Sequence, residues 1–236
     1  MIYYIVAQNN VALYEEYLKP YFDKINKTPI LITDDMGNSM FEKYNLGLSH
    51  IIHDLKDDDI VCFVHEDIKV LDSYLELKTE MVFNMDKNIG VLGVYGTTQF
   101  EEAGGWWLCD RAKYARGHIM QGRPDLSKSF HMTDGHVGYY SNLVSVDGCI
   151  FFMNGKLAKS YRFEQDYYDG YHFYDVDACF SAIQQGWKVA VADILVEHAS
   201  EGAMPEFWHT NKARFIDKWK LKGFMFPITT KQLKLK

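Results

Sequence analysis

The apolar run Val61-Cys62-Phe63-Val64 is followed at once by His65-Glu66-Asp67. A short apolar run bounded in this way reads as a buried strand. Its polar end then falls at the C-terminal edge of a sheet, where open α/β sheets bind ligands. Carboxylates gathered there are costly unless a positive group joins them, and a divalent metal carrying a phosphate would supply one. A strand that simply ends in a solvated acidic loop fits the same residues. Two further polar clusters flank apolar segments: Tyr174-Asp175-Val176-Asp177 opens a helical pattern, and Glu197-His198 follows Ile194-Leu195-Val196. Two aspartates and a histidine on strand and helix ends can converge, and an oxygen-rich set with one imidazole suits Mg²⁺ or Mn²⁺ better than Zn²⁺. Acidic residues in a first helical turn also serve the helix itself, as caps and against its dipole.

The elements that must position these clusters alternate through the first half of the chain. Ile2–Ala7 is a strand ending at Gln8-Asn9-Asn10; residues 11–25 read as a helix that Pro20 kinks or divides. Residues 29–33 form a second strand ending at Asp34-Asp35, residues 39–55 a second helix, 60–64 the third strand, 71–84 a third helix and 89–95 a fourth strand. Strand and helix in strict alternation imply an α/β fold with a mostly parallel central sheet and right-handed crossovers. No Gly-x-Gly-x-x-Gly follows the first strand, so the dinucleotide fingerprint is absent. The second half is less regular. Residues 96–140 carry Gly104-Gly105-Trp106-Trp107 with no sustained period, the mark of a functional loop or lid, or of a packed aromatic loop. A strand over 143–153 is interrupted at Asp147-Gly148, a helix over 175–185 stops at Gly186, and 187–192 and 194–196 are strand-like.

Composition narrows the class. The 236 residues suit one domain, or one domain with an appendage. A net charge of −7 argues against nucleic acid as a partner. The tail is the exception, with Trp208, Phe215, Trp219, Phe224 and Phe226 interleaved among lysines and Arg214. Such a segment either packs its aromatics on the domain, the favoured reading, or makes peripheral contact with an anionic membrane. Cys62, Cys109, Cys149 and Cys179 are widely spaced, without the pairs of a structural zinc site or a disulfide framework. With no apolar stretch long enough to span a bilayer and no charged leader before the first strand, the expected location is cytoplasmic, with the inner face of the membrane as the place of any tail contact.

Taken in order, Phe63-Val64-His65-Glu66-Asp67-Ile68, Gly104-Gly105-Trp106-Trp107, Val146-Asp147-Gly148, Phe173-Tyr174-Asp175-Val176-Asp177-Ala178-Cys179, Gly186-Trp187-Lys188-Val189 and Val196-Glu197-His198 resemble the nucleotide-sugar-dependent glycosyltransferases of the GT-A fold. The resemblance is closer to the family 2-like bacterial group and spans roughly residues 1 to 205. It implies a GT-A-like, Rossmann-like three-layer sandwich over 1–205, with 206–236 as a basic-aromatic extension packed on it. It also implies roles. His65-Glu66-Asp67 takes the place of the Asp-x-Asp motif, with Asp67 on a divalent metal (Mn²⁺ or Mg²⁺) that bridges the donor diphosphate and His198 as a second ligand. Asp175 matches the catalytic base. Ala7, Gln8, Asp34 and Asp35 fall where the nucleoside binds, and Asp147-Gly148 faces the sugar or acceptor. Trp106, Trp107 and Asp177 belong to the acceptor side or lid. His65 in place of an aspartate and Tyr174 in place of a glutamate depart from the family pattern.

The implied reaction is inverting transfer of a sugar from a nucleotide-sugar donor, a UDP-sugar as first choice, to a hydroxyl of a glycan or lipid-linked glycan, such as a bacterial surface polysaccharide. Two other readings use the same residues. A catalytically silent sugar-nucleotide binding module would bind without turnover, and a metal-dependent phosphohydrolase or nucleotidyltransferase would turn over nucleotide without an acceptor.

Overall fold

The computed structural model describes residues 1–105, 108–122, 130–133, 138–200 and 204–234. In chain order its elements are β1 (Ile2–Ala7), α1 (Val11–Tyr17), α2 (Lys19–Ile25), β2 (Ile30–Ile32), α3 (Met40–Ile51), β3 (Ile60–His65), β4 (Ile68–Val70), α4 (Leu75–Met85), β5 (Ile89–Gly93), β6 (Tyr95–Thr97), β7 (Gln99–Phe100), α5 (Arg111–Tyr114), β8 (Ala115–Gln121), β9 (Phe130–Thr133), β10 (Tyr139–Leu143), β11 (Ser145–Val146), β12 (Ile150–Asn154), α6 (Gly155–Ser160), α7 (Tyr174–Gln184), β13 (Lys188–Ala192), β14 (Val196–His198), α8 (Glu206–Leu221), β15 (Ile228–Thr229) and α9 (Thr230–Lys234).

A seven-stranded sheet in the order β10-β13-β5-β12-β3-β1-β2 carries the fold. Strands β1, β2, β3, β5 and β13 point one way, while β12 and β10 oppose them. The sheet is therefore parallel in most of its strands but mixed in its pairings, because β12 inserts antiparallel between β3 and β5. That insertion has a chemical consequence: the C-terminal end of β3 abuts the N-terminal start of β12.

Side chains of β1, β3 and β12 alternate between two cores, as the two-residue period of a strand requires. Ile5, Val61, Phe63, Phe151 and Met153 face one core with Phe41, Tyr44 and Leu48 of α3, Cys179 and Phe180 of α7, and Phe215 and Trp219 of α8. Tyr4, Val6, Cys62, Val64 and Phe152 face the other with Tyr14, Phe22 and Val82 from α1, α2 and α4 and with Tyr95, Ile119 and Val196 of a second sheet. A strand buried on both faces reads as an unbroken apolar run, which is why β1 and β3 stand out in the sequence. The result is a three-layer sandwich.

Local signals set the boundaries. Leu18 separates α1 from α2, with Pro20 in the first turn of α2, where its missing N–H costs nothing. Ser39 and Glu42 form a reciprocal capping box at the start of α3. Gly186, with φ +90°, ends α7 in a conformation that disfavours a side chain. Three expectations shift. The run 89–95 divides, so that β5 stays in the large sheet and β6 crosses to the smaller one, ordered β11-β6-β8-β14-β4. Residues 71–74 lie outside α4, with the N–H groups of Leu71 and Asp72 donating to the Leu195 carbonyl. The segment 96–140 contains strands, among them β8, whose buried positions Ala115, Gly117 and Ile119 alternate with partly exposed ones.

Residues beyond 205 join the main core: Trp208, Phe215, Trp219 and Phe224 are buried in it, while Leu221 and Met225 stay exposed. Among the described residues, no helix is long and apolar enough to cross a membrane.

Candidate active site

Strand pairing assembles the site. His65 ends β3 and its N–H donates to the Cys149 carbonyl at 2.9 Å, so the start of β12 brings Asp147, Gly148 and Cys149 beside it. Ala7 lies in register with His65 across β1 and β3. His198 ends β14 in register with Ile68 of β4, and the Ala199 N–H donates to the Asp67 carbonyl at 3.0 Å. The first turn of α7 supplies Tyr174 and Asp175. These residues line a cavity of about 570 Å³ together with Arg111, Gln121, His172, Phe173 and Trp208.

Asp67 stands at the centre. Its Oδ1 is 3.9 Å from His65 Nδ1 and 3.6 Å from His198 Nε2. Asp67 Oδ1 and His198 Nδ1 are buried without a hydrogen-bond partner among the described residues. One ligand-capable atom from each of His65, Asp67 and His198 lies within 4.8 Å of the other two. Atoms that each sit about 2.0–2.2 Å from one ion are spaced on this scale, and orphaned buried acceptors are what an ion would satisfy. The set thus fits a divalent cation. Burial pushes the His65 imidazole down to about 4, against the pull of Asp67 and with His198 and His172 adding to the push, so His65 is neutral at neutral pH, the form that ligates a metal.

The departures at 65 and 174 meet in space. His65 Nε2 and the Tyr174 hydroxyl are 2.6 Å apart. Burial holds the Tyr174 phenol well above its ordinary range, so it stays protonated. The tautomer with Nε2–H donating to Tyr174 Oη leaves the Nδ1 lone pair on the Asp67 side, the usual outer-shell arrangement of a ligating histidine. The Tyr174 ring is fixed among Tyr44 (5.4 Å between centroids), Phe41 (6.1 Å) and Phe151 (6.3 Å). Gly148 makes room for it: a Cβ at 148 would lie 2.7 Å from Tyr174 Cζ and 2.9 Å from Asp175 Cβ.

Asp175 is buried at the cavity wall, where desolvation first and the Asp147 charge second push its carboxyl up to about 7. Backbone N–H groups of Val176, Asp175 and Gly148 pull the other way. A carboxylate with this value is half-ionised near neutral pH and can accept a proton there. The preceding Phe173 is in the left-handed region, φ +73°, while its ring lies against Trp208 and Phe215. Such a conformation costs a bulky residue on the order of 1–3 kcal/mol and clusters at functional sites. Glu66 turns away from the Asp67 set: its Oε2 accepts from the Asn9 and Asn10 N–H groups and so ties the end of β1 to β3.

Other expected residues are placed elsewhere. Gln8 is buried, its backbone N–H donating to the Ile32 carbonyl at 2.8 Å. Asp34 is largely exposed, and its Oδ1 accepts from Lys43 Nζ at 2.6 Å; Asp35 is exposed and bonds Thr33. None of the three lines the cavity. Lys43, buried on α3 and unmarked in the sequence, joins Asp34 to Asn9 and to the Gln8 carbonyl. Asp177, expected on the acceptor side, points into the core: it is 1% exposed and accepts from Lys218 Nζ at 2.8 and 2.7 Å, Trp219 Nε1 at 3.0 Å and the Tyr168 hydroxyl at 3.2 Å. The α-helical period explains it, since Asp175 and Asp177 cannot share a face. Trp106 and Trp107 lie outside the described residues, although Gly104 and Gly105 line the cavity. The sequence reading missed Trp208, which reaches the cavity only because α8 packs on α7.

This architecture is that of the GT-A glycosyltransferases. The chain matches the model of the glycosyltransferase-like family over residues 4–222 and belongs to that family. Two solved structures share the fold. A197 from STIV is 12% identical with a TM-score of 0.52, covering 85% of this chain and 86% of that one. GalNAc-T7, solved with UDP, GalNAc and Mn²⁺, is 10% identical with a TM-score of 0.53; the match covers 89% of this chain but 41% of GalNAc-T7, so the chain spans less than half of that protein. No curated protein matches the chain.

Proposed function

We propose that this glycosyltransferase moves a sugar from a nucleotide-sugar donor to a hydroxyl of a glycan acceptor with inversion at the anomeric carbon. The observation that carries the reading is the meeting, in one cavity, of Asp175 raised to about 7 with the His65, Asp67 and His198 set. Asp67, His198 and His65 would hold Mn²⁺ or Mg²⁺, which when bound supplies Lewis-acid neutralisation of the leaving diphosphate. That GalNAc-T7 was solved with UDP and Mn²⁺ on the same fold supports this choice of donor class and cofactor.

The chain's own residues do the rest. Asp175 Oδ takes the proton of the acceptor hydroxyl as it attacks, a contribution of about 10²–10⁴-fold. A single base with direct attack gives inversion and needs no covalent glycosyl-enzyme. Asp147 and Gly148 border the base and face the sugar or acceptor. Arg111 brings a guanidinium to the wall where a diphosphate would lie, a geometry suited to phosphate oxygens. Trp208 and Phe173 offer aromatic surface and help exclude water, which would otherwise hydrolyse the donor. Ala7 and the β1 end that Glu66 secures border the nucleoside side, and Lys43 ties Asp34 and the Gln8 carbonyl to Asn9 beside it.

The test is release of nucleoside diphosphate from a panel of nucleotide sugars with glycan acceptors and Mn²⁺, with the anomeric configuration of the product read by NMR. Acceptor-dependent release with inversion is expected. Binding without release under every acceptor would favour a silent sugar-nucleotide binder, and release indifferent to acceptor a phosphohydrolase.

A further inference from the structure

One group in the cavity takes no part in the chemistry above. Cys149 is one of four free, buried cysteines and, among the described residues, the only one that lines the cavity. Its backbone N–H donates to Asp147 Oδ1 at 2.9 Å. His198 closes the group: one ligand-capable atom from each of Asp147, Cys149 and His198 lies within 4.8 Å of the other two. All three residues are buried. His198 is 8% exposed and its Nδ1 has no hydrogen-bond partner among the described residues.

A thiolate, an imidazole and a carboxylate with one side open to a cavity make a donor set for Zn²⁺ or Cd²⁺ and a poor one for Mg²⁺. The geometry points to a second cation position, formed by Asp147, Cys149 and His198, that takes a thiophilic divalent ion and shares His198 with the Asp67 set. Binding exchanges one proton for the ion. The S–H bond of Cys149 breaks, the proton leaves to solvent, and a sulfur–metal bond forms. Because His198 belongs to both sets, an ion at the sulfur side takes a ligand from the other. Zn²⁺ at this position therefore displaces Mn²⁺ rather than joining it, and a soft ion acts as an inhibitor. The position itself does not depend on the glycosyl-transfer reading; the inhibition rests on it, because it acts through loss of Mn²⁺ from the Asp67 set.

The test uses the full chain and Cd²⁺ as an optical probe through its thiolate charge-transfer absorption. The band is expected at one equivalent in the native chain and in His65→Ala, and lost in both Cys149→Ser and Cys149→Ala. Calorimetry in buffers of different ionisation enthalpy should return about one proton released per ion. Electron paramagnetic resonance of Mn²⁺ separates the two positions. Added Zn²⁺ should release bound Mn²⁺ from the native chain, whereas Cys149→Ser should bind Mn²⁺ as before, which also shows it folded, and resist that release at least tenfold better. A Cd²⁺ band that survives in both Cys149 variants, no band in the native chain, or Mn²⁺ and Cd²⁺ bound together would overturn the proposal. Absence of Mn²⁺ binding in every form would count against the Asp67 set alone, with the Cd²⁺ band still deciding this one.

Discussion

Asp175→Asn separates the base from the scaffold that holds it. The carboxyl rises from 3.8 to about 7 because burial and Asp147 both disfavour its charge. At about 1.4 kcal/mol per factor of ten, that gap corresponds to about 4 kcal/mol against the folded state once the group is ionised in both states. The sign follows from proton binding. Between pH 3.8 and about 7 the folded protein holds a proton on Asp175 that the unfolded chain has lost. Stability therefore falls as pH rises through that window; below it the term vanishes, and above it the cost is complete. An amide cannot ionise, so the Asn variant escapes the cost. In the metal-free protein, urea denaturation should show it more stable than the native chain by about 1–4 kcal/mol near pH 8, with the difference shrinking toward zero near pH 4. Transfer activity should drop by about 10²–10⁴-fold while nucleotide affinity stays within a few-fold. For the native enzyme, kcat/KM should rise with pH along a limb whose midpoint lies near 7, as the base ionises. A stability difference that stays flat from pH 4 to 8 would refute the burial argument, and an Asn variant of undiminished activity would remove Asp175 as the base.

Further outcomes follow from the same contacts. Tyr174→Phe removes the 2.6 Å partner of His65 Nε2 and should weaken Mn²⁺ binding about 10–100-fold by calorimetry, with the fold retained by circular dichroism. Lys218→Met strips the ion pair from buried Asp177 and should destabilise the chain by about 3–5 kcal/mol in chemical denaturation, whereas Asp177→Asn with Lys218→Met together should recover part of that loss. Gly148→Ala would place a methyl against Tyr174 Oη and 2.9 Å from Asp175 Cβ, and should lower kcat more than tenfold and weaken Mn²⁺ binding together, with the fold retained by circular dichroism.

Much of the scaffold is written in the chain, and the reasons are physical. β1 and β3 are buried on both faces, so their apolar runs are continuous and bounded. Pro20 and Gly186 act locally, and the structure breaks or stops the helices at them. The directions of β12 and β10 carry no such mark, because antiparallel insertion depends on partners distant in sequence. β8 hid in the irregular segment because its buried positions are small, Ala115 and Gly117 among them, and give little hydrophobic contrast. Within the site, His65, Asp67, Asp175 and His198 stand at strand and helix ends and were singled out from that position, whereas Asp147 was singled out as a break within a strand and given its role by the family resemblance. Their mutual distances were not, nor was the pairing of His65 with Tyr174, which depends on α7 docking against the β3–β12 junction. Asp177 shows the limit of motif reading. It lies two residues from Asp175 in the same segment, yet helical geometry turns it toward Lys218 and Trp219.

The proposed function requires this cavity to bind a nucleoside diphosphate through a divalent ion on Asp67 and His198. A thermal-shift panel of UDP, GDP, CMP and dTDP, each with Mn²⁺, Mg²⁺ or EDTA, reads that binding. Selective stabilisation by one diphosphate, worth about 2.7 kcal/mol at a hundredfold excess over Kd, lost with EDTA and lost in Asp67→Ala, is the predicted result. No shift with any nucleotide, or a shift that EDTA and Asp67→Ala leave untouched, would contradict it.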